Sequence, residues 1–239
     1  MKYFTSDLHF DHPYVAALRG YITDHTPIEE IRTMPLQERY RHVDVDAHDH
    51  MLLDRLLTLG KQDELWILGD IASGSAASRL KAVRLLDRLH VPRKHRHLIL
   101  GNHENGMHPN AKAMADWGEV FSEIAVNGVT TITDCMGLPV PVSATLSHFP
   151  LLRSFQFGIT PDGCAANALD PKWVPYALPA PSRLHLHGHT HAKTPFEFPG
   201  DDNQVNIGVD AWNGRPVSEQ DIFGLYLSAD RKPHPLLRL

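Results

Sequence analysis

Cysteine is scarce in this chain of 239 residues: only Cys135 and Cys164 occur, with no C-x-x-C pair. Two thiols cannot build a disulfide framework, and the expectation is a pair of reduced side chains. Long apolar runs are also missing. None approaches the ~18–20 residues that a bilayer-spanning helix needs, so no membrane association is expected. Met1 leads within a few residues to Asp7, before the apolar stretch of a secretory leader could form. A soluble, cytoplasmic protein is the corresponding expectation. Basic residues are not in excess either: 23 Lys and Arg face 28 Asp and Glu, for a net charge of −5. That balance argues against strong polynucleotide binding, which depends on clustered cations over the phosphate backbone. Internal repeats and low-complexity tracts are absent.

What the chain does have is histidine, seventeen in all, and short apolar runs that stop abruptly at polar residues. Tyr3-Phe4-Thr5-Ser6 runs into Asp7, and Leu65–Leu68 into Gly69-Asp70. Leu98-Ile99-Leu100 runs into Gly101-Asn102-His103, Ser143–Leu146 into Ser147-His148, and Arg183–Leu186 into His187-Gly188-His189. Apolar runs of this length closed by turn residues read as buried strands. Between them, residues 47–59 and 75–90 repeat apolar side chains at three-to-four spacing, with Gly60 and Pro92 as stops. A weaker helix covers 109–117.

After residue 129 the pattern turns strand-rich. Residues 129–134 and 140–147 read as a hairpin, and 183–187, 204–209 and 222–228 as further strands. The alternation predicts one α/β domain over 1–239, with two packed sheets and helices outside. Two stretches break the rhythm and read as solvated surface loops or, alternatively, as loops facing a substrate: 10–46, polar from residue 19 on, and 150–181, which holds six prolines and four aromatics.

Functional side chains in open α/β folds gather beyond the carboxyl ends of strands, where the polar terminators stand here. Asp7 and His9 are two apart, so on an extended segment they share a face. His189 and His191 repeat that spacing, and Gly188 lets the backbone pass close to its surroundings. A lone D-x-H or H-x-H says little in so histidine-rich a chain. Asp44, Asp46, His48 and His50 form another such group, expected as solvated residues at a helix start. The ordered series is the specific signal: D-x-H, G-D, G-N-H-E, S-H, G-H-x-H, each at a strand end.

The series Asp7-Leu8-His9, Gly69-Asp70, Gly101-Asn102-His103-Glu104, Ser147-His148 and Gly188-His189-Thr190-His191 resembles the calcineurin-like metallophosphoesterases over nearly the whole chain. Ser6–His12, Val209-Asp210 and Arg215–Ser218 resemble the compact branch of that family found in bacteria and their phages, which for a phage-encoded member means the host cytoplasm. The resemblance implies a four-layer α-β-β-α sandwich with two mixed sheets flanked by helices. It also implies two divalent metal ions, one held by Asp7, His9, Asp70 and His191, the other by Asp70, Asn102, His148 and His189, with Asp70 bridging. Imidazole, carboxylate and carboxamide ligands without thiolate suit Mn²⁺ first, with Fe²⁺ or Zn²⁺ as alternatives. Two divalent ions, two carboxylates and a bridging hydroxide leave about one positive charge to attract a phosphate.

The implied activity is hydrolysis of small phosphodiesters, cyclic nucleotides and 2′,3′-cyclic ones first, by in-line attack of that hydroxide. A phosphomonoesterase or nucleotidase and a silent binding scaffold remain alternatives. His103, beside Asn102, is the candidate acid for the leaving oxygen. Many family members follow G-D with x-x-D, a carboxylate that orients this histidine; here Ser73 stands in that place. His12 and Arg19, with Asn102 and His103, are candidate contacts to the small phosphodiester or nucleotide. His187 and His185 are expected to ligate no metal. Oligomeric state is not legible.

Overall fold

A computed structural model describes residues 1–104, 110–133, 141–152, 170–179, 183–198 and 201–228. Strand β1 (Lys2–Thr5) lies parallel to β2 (Glu64–Leu68), which is parallel to β3 (Arg96–Ile99), and that in turn to β4 (Glu123–Ala125). The two-residue β9 (Val217–Ser218) joins the free edge of β1 in the antiparallel sense, giving the order β4-β3-β2-β1-β9. The second sheet runs β5 (Asn127–Ile132), β6 (Val142–Ser147), β7 (Leu184–His187), β8 (Gln204–Asn206). Its β5–β6 pair is antiparallel and the rest parallel. Seven α-helices flank the two mixed sheets among the described residues, the α/β sandwich that the strand–helix alternation predicts.

Side-chain alternation explains how the layers meet. Leu65 and Ile67 of β2 and Leu98 of β3 point to one side. There they pack on Leu52, Leu53 and Leu56 of α4 (Val45–Leu56), on Ala82, Val83 and Leu86 of α5 (Ala76–Asp87), and on Trp117 of α6 (Ala111–Gly118). The alternate residues Phe4, Trp66, Leu68 and Ile99 point the other way, against Val142, Ala144, Leu146, Leu184, Leu186 and Val205 of the second sheet. Each such buried side chain contributes roughly 1.5–3 kcal/mol of hydrophobic stabilisation. Side-chain caps start the helices: Asp44 accepts from Ala47 N, Ser75 from Ser78 N and Asn110 from Ala113 N.

Three expectations are corrected. Residues 222–228 form no strand; they lie in helix α7 (Glu219–Ser228). Ser218 Oγ accepts from Asp221 N while the Asp221 carboxylate accepts from Ser218 N, a reciprocal capping box. Ile222 and Phe223 then pack into the inter-sheet core. The continuous apolar run Ile222–Leu227 has no period that separates strand from helix, so the cap decided it. Residues 19–46 are also no simple loop. After α1 (Pro13–Leu18), the stretch holds α2 (Ile28–Thr33) and α3 (Leu36–His42), each preceded by proline at its cap. With Ala16, Ala17, Ile31, Val43 and Val45 they enclose a small core of their own. Helices of six or seven residues are too short to show a clear period. His48, expected in solvent, is fully buried with its neighbour Asp49. In the 150–181 stretch, residues 153–169 and 180–181 lie outside the described part. Pro171–Tyr176 forms a 3-10 turn.

Candidate metal centre

The carboxyl ends of β1, β2, β3, β6 and β7 converge, and the polar terminators face one another. After β1, Ser6 hydroxyl donates to Leu68 O, and the backbone is stitched to the end of β2 through Asp7 N–Gly69 O (3.1 Å), His9 N–Asp70 O (2.9 Å) and Phe10 N–Ile71 O (2.7 Å). The chain here is not extended, as the D-x-H spacing led us to expect. Asp7 (φ 59°), His9 (52°), Asp70 (52°), His189 (73°) and His191 (55°) are all left-handed. Among the described residues only two other non-glycine residues, Asp11 and Asn213, share that region. Each such conformation costs of order 1–3 kcal/mol and persists only where surroundings over-determine it, typically at functional sites. Left-handed turns on either side of Leu8 send Asp7 and His9 into the same cluster while Leu8 enters the core. Close approach requires glycine at 188, since a Cβ there would run into Ser6 Oγ and the Asp7 carboxylate. Gly69, at φ 83°, would similarly meet Gly101 and His148.

Three triplets of donors result among the described residues, Asp7–His9–His191, Asp70–His148–His189 and, at the open side, His9–His12–His103, each with its ligand atoms within 4.8 Å of one another. Two ligands ~2.0–2.1 Å from one ion lie about 3.0–3.4 Å apart at right or tetrahedral angles. The spacings found are of that kind. His9 Nε2 and His191 Nε2 are 3.1 Å apart, as are His148 Nε2 and His189 Nδ1; Asn102 Oδ1 is 2.9 Å from His148 Nε2. Asp70 Oδ2 stands between the groups, 3.7 Å from His9 Nε2 and 3.5 Å from His148 Nε2. These His and Asp groups could hold a metal ion.

Surrounding residues fix ring orientation, the usual second requirement of a metal site. His148 Nδ1 lies 2.8 Å from the Leu68 carbonyl oxygen, which can only accept, so Nδ1 carries a proton and Nε2 is the nitrogen turned to the cluster. His191 is fixed likewise by Asp210 Oδ2, 2.8 Å from its Nδ1. Asp7 accepts His189 N on both carboxylate oxygens at 3.0 Å. Glu104 is buried and accepts Asp70 N (2.6 Å), Ile71 N (2.7 Å) and Gly101 N (3.0 Å), tying the ends of β2 and β3 together.

Electrostatics follow from this crowding of buried charge. Burial alone would raise the Asp70 carboxyl, but the His148 and His103 imidazoles hold it well below the usual range. Burial pushes Asp7 up. The Asp70 carboxylate overcomes burial at His148 and lifts it to about 9. Burial, and then the neighbouring His103 imidazole, drive His9 well down and His12 to about 3. Burial and the Asp70 charge raise Glu104 to about 7, against the pull of its three amides.

His103 and His12 stand at the open side. The His103 ring lies 4.9 Å from His9 and 5.7 Å from His12; its Nε2 is 3.8 Å from Asp70 Oδ2 and its backbone N donates to Asp70 Oδ1. Among the described residues Asp70 is the only carboxylate within ion-pair distance of His103. His12 also caps α1, accepting Val15 N on Nδ1. Arg19, expected as a substrate contact, is committed elsewhere. Its five N–H donors go to both Asp210 oxygens, to Asp7 O, to Leu8 O and to His48. It lines the cleft with no donor to spare, and acts as a brace for the Asp7–His9 loop. His187 and His185 are turned away: His187 Nδ1 meets Gly188 O, and His185 meets Thr145 and Phe149 O.

The cluster opens into a cleft of about 500 Å³, with Tyr14, Leu18 and Trp173 on its walls and Arg32, Lys172 and Lys193 as added cations. Glu104 and Asp210 were quoted in sequence motifs yet carried no assigned role, because a buried carboxylate that braces a loop leaves no periodic signature.

No family model matches the chain. It is 28% identical over 229 residues to the "Gene 66 protein" of Mycobacterium phage L5, covering 93% of this chain and 92% of that protein. It is 29% identical over 218 residues to the "Gene 66 protein" of Mycobacterium phage D29, covering 88% of each. In fold it is similar to the crystal structure of the protein of unknown function AQ665 from Aquifex aeolicus. The TM-score is 0.53 at 21% identity, over 94% of this chain and 98% of that one.

Proposed function

We propose that the protein is a dinuclear metal-dependent phosphodiesterase acting on small phosphodiesters, with cyclic nucleotides, 2′,3′-cyclic ones first, as the leading class. The observation that carries the reading is Asp70, whose Oδ2 lies between two histidine-rich donor groups at 3.5–3.7 Å from each. Asp7, His9, Asp70 and His191 would hold one ion, and Asp70, Asn102, His148 and His189 the other, with Mn²⁺ as the favoured metal. Bound divalent ions would supply Lewis acidity at the phosphoryl oxygens and activation of water.

The chain's own residues supply the rest. Asp210 and the Leu68 carbonyl keep Nε2 of His191 and of His148 turned inward. His103, 28% exposed beside Asp70, is placed to hold a proton at Nε2 and pass it to the leaving oxygen. His12 stands across from it at the cleft mouth, and the Arg32, Lys172 and Lys193 cations draw an anion toward the site despite the net negative chain.

The test is turnover by the purified chain supplied with Mn²⁺, on bis-p-nitrophenyl phosphate, p-nitrophenyl phosphate and 2′,3′- and 3′,5′-cyclic nucleotides. The expected result is faster cleavage of diester than monoester, and of 2′,3′-cyclic than 3′,5′-cyclic substrates. Preference for the monoester would turn the reading to a phosphomonoesterase, and no hydrolysis with any of Mn²⁺, Fe²⁺ or Zn²⁺ would overturn it.

A further inference from the structure

The stretch Asp44–His50 holds two buried polar residues outside the metal-facing shell, His48 and Asp49, on α4, 0% and 1% exposed. Their hydrogen bonds form one chain. Lys81 Nζ on α5 lies 3.0 Å from Asp49 Oδ2, and Asp49 Oδ1 lies 3.0 Å from His48 Nδ1. His48 Nε2 is 3.0 Å from Arg19 Nη1, and Arg19 reaches Asp210 from Nε (2.9 Å) and Nη2 (2.7 Å). Asp210 then meets His191 Nδ1 at 2.8 Å. A guanidinium only donates, so His48 Nε2 accepts and Nδ1 carries the proton toward Asp49. One neutral tautomer satisfies both partners. The Asp49 carboxylate also accepts Asp11 N at 3.1 Å on both oxygens, anchoring the chain just past the D-x-H loop.

Apolar side chains would pack this face of α4 more cheaply than a buried imidazole and carboxylate, because desolvating polar and charged groups is expensive. The retained pair has one consequence that apolar residues cannot provide. It takes the fifth donor of Arg19, whose other four hold Asp7 O, Leu8 O and Asp210. With every donor matched, the guanidinium has a single orientation. That orientation sets the strained Asp7–His9 turn and the His191 ring together.

We propose that His48 and Asp49 are positioning residues for the Asp7–His9–His191 donor group, acting through Arg19 and Asp210. The role rests on the reading that this group holds an ion. It predicts that a change deep in α4, away from the cleft, alters metal affinity at one of two sites.

The experiment is calorimetric titration of the full-length metal-free chain with Mn²⁺, for the parent, His48→Leu and His48→Gln, with thermal unfolding of each metal-free protein alongside. His48→Leu is expected to weaken one of the two binding events about tenfold and leave the other within twofold, as for loss of other groups behind metal ligands. His48→Gln, whose side-chain oxygen can accept from Arg19, is expected to recover most of that loss. A purely structural residue would lower the unfolding temperature in both variants without separating the two events. Parent-like Mn²⁺ affinity in His48→Leu, or equal losses in Leu and Gln, would overturn the role. Should His48→Leu fail to fold, Asp49→Asn removes the charge behind the imidazole at constant size. A several-fold loss at the same event supports the role, and parent-like binding sinks it. A parent chain that takes up no Mn²⁺ would instead break the metal-centre reading itself.

Discussion

At the scale of single residues, the centre shows how one imidazole is set by what it touches. His148 sits 3.5 Å from Asp70 Oδ2, and that carboxylate lifts it to about 9 although burial works the other way. A folded value above the ordinary one of about 6.5 means that the charged ring stabilises the metal-free fold. The contribution is full below about 6.5 and is lost as pH rises through about 9. Coordination needs the neutral ring, so Mn²⁺ must displace a proton in that window. Apparent Mn²⁺ affinity is therefore expected to rise with pH, by up to about tenfold per unit between 7 and 9, and then to level off. Calorimetry at pH 7 in buffers of different ionisation enthalpy should show about one proton released per centre; heats independent of buffer would contradict this assignment. The same scale separates legible from illegible residues. Asp7, His9, Asp70, Asn102, His148, His189 and His191 could be picked out because each ends an apolar run. Arg19 could not be placed, since only distances show that all five of its donors are taken.

At the scale of elements, caps and short helices carry the differences from expectation. The α4, α5 and α6 helices were visible because they repeat apolar residues over two or three turns and bury them on the first sheet. The α7 helix was hidden in an apolar run that suits either structure, and the Ser218–Asp221 box is what commits it. Replacing Ser218 by Ala removes that cap and is expected to cost about 1 kcal/mol. In a chain of this size that is roughly 2–4 °C in unfolding temperature. Scanning calorimetry of Ser218→Ala showing no shift would mean that packing of Ile222 and Phe223 holds α7 without its cap. The α2 and α3 helices escaped for another reason. Six or seven residues give less than two turns, and their apolar contacts, Ile31 against Ala16, Ala17 and Val43, are made to other segments.

At the scale of the molecule, the ends of five strands from both sheets meet at one edge, and the donor groups they bring span Asp7 to His191. An ion held there cross-links segments far apart in sequence, and binds the folded chain alone. At a hundredfold excess over its dissociation constant, such a ligand adds about 2.7 kcal/mol. Removing divalent metal with a chelator is thus expected to lower the unfolding temperature by roughly 5–10 °C, reversed by Mn²⁺. An unfolding temperature indifferent to both additions would argue that the donors pair with one another rather than with a metal. By itself the sequence determined what is local: the strand–helix alternation, the α/β class, and the polar residues that close each strand, since periodicity and turn chemistry act over a few neighbours. Tertiary structure alone decided which carboxylates brace which imidazoles. Glu104 serves β2 from the end of β3, and Asp210 serves His191 while gripping Arg19. Such pairings depend on strand order and on left-handed turns at the ligands. Neither leaves a mark in the spacing of residues along the chain, because the partners are brought together by folding and not by sequence distance.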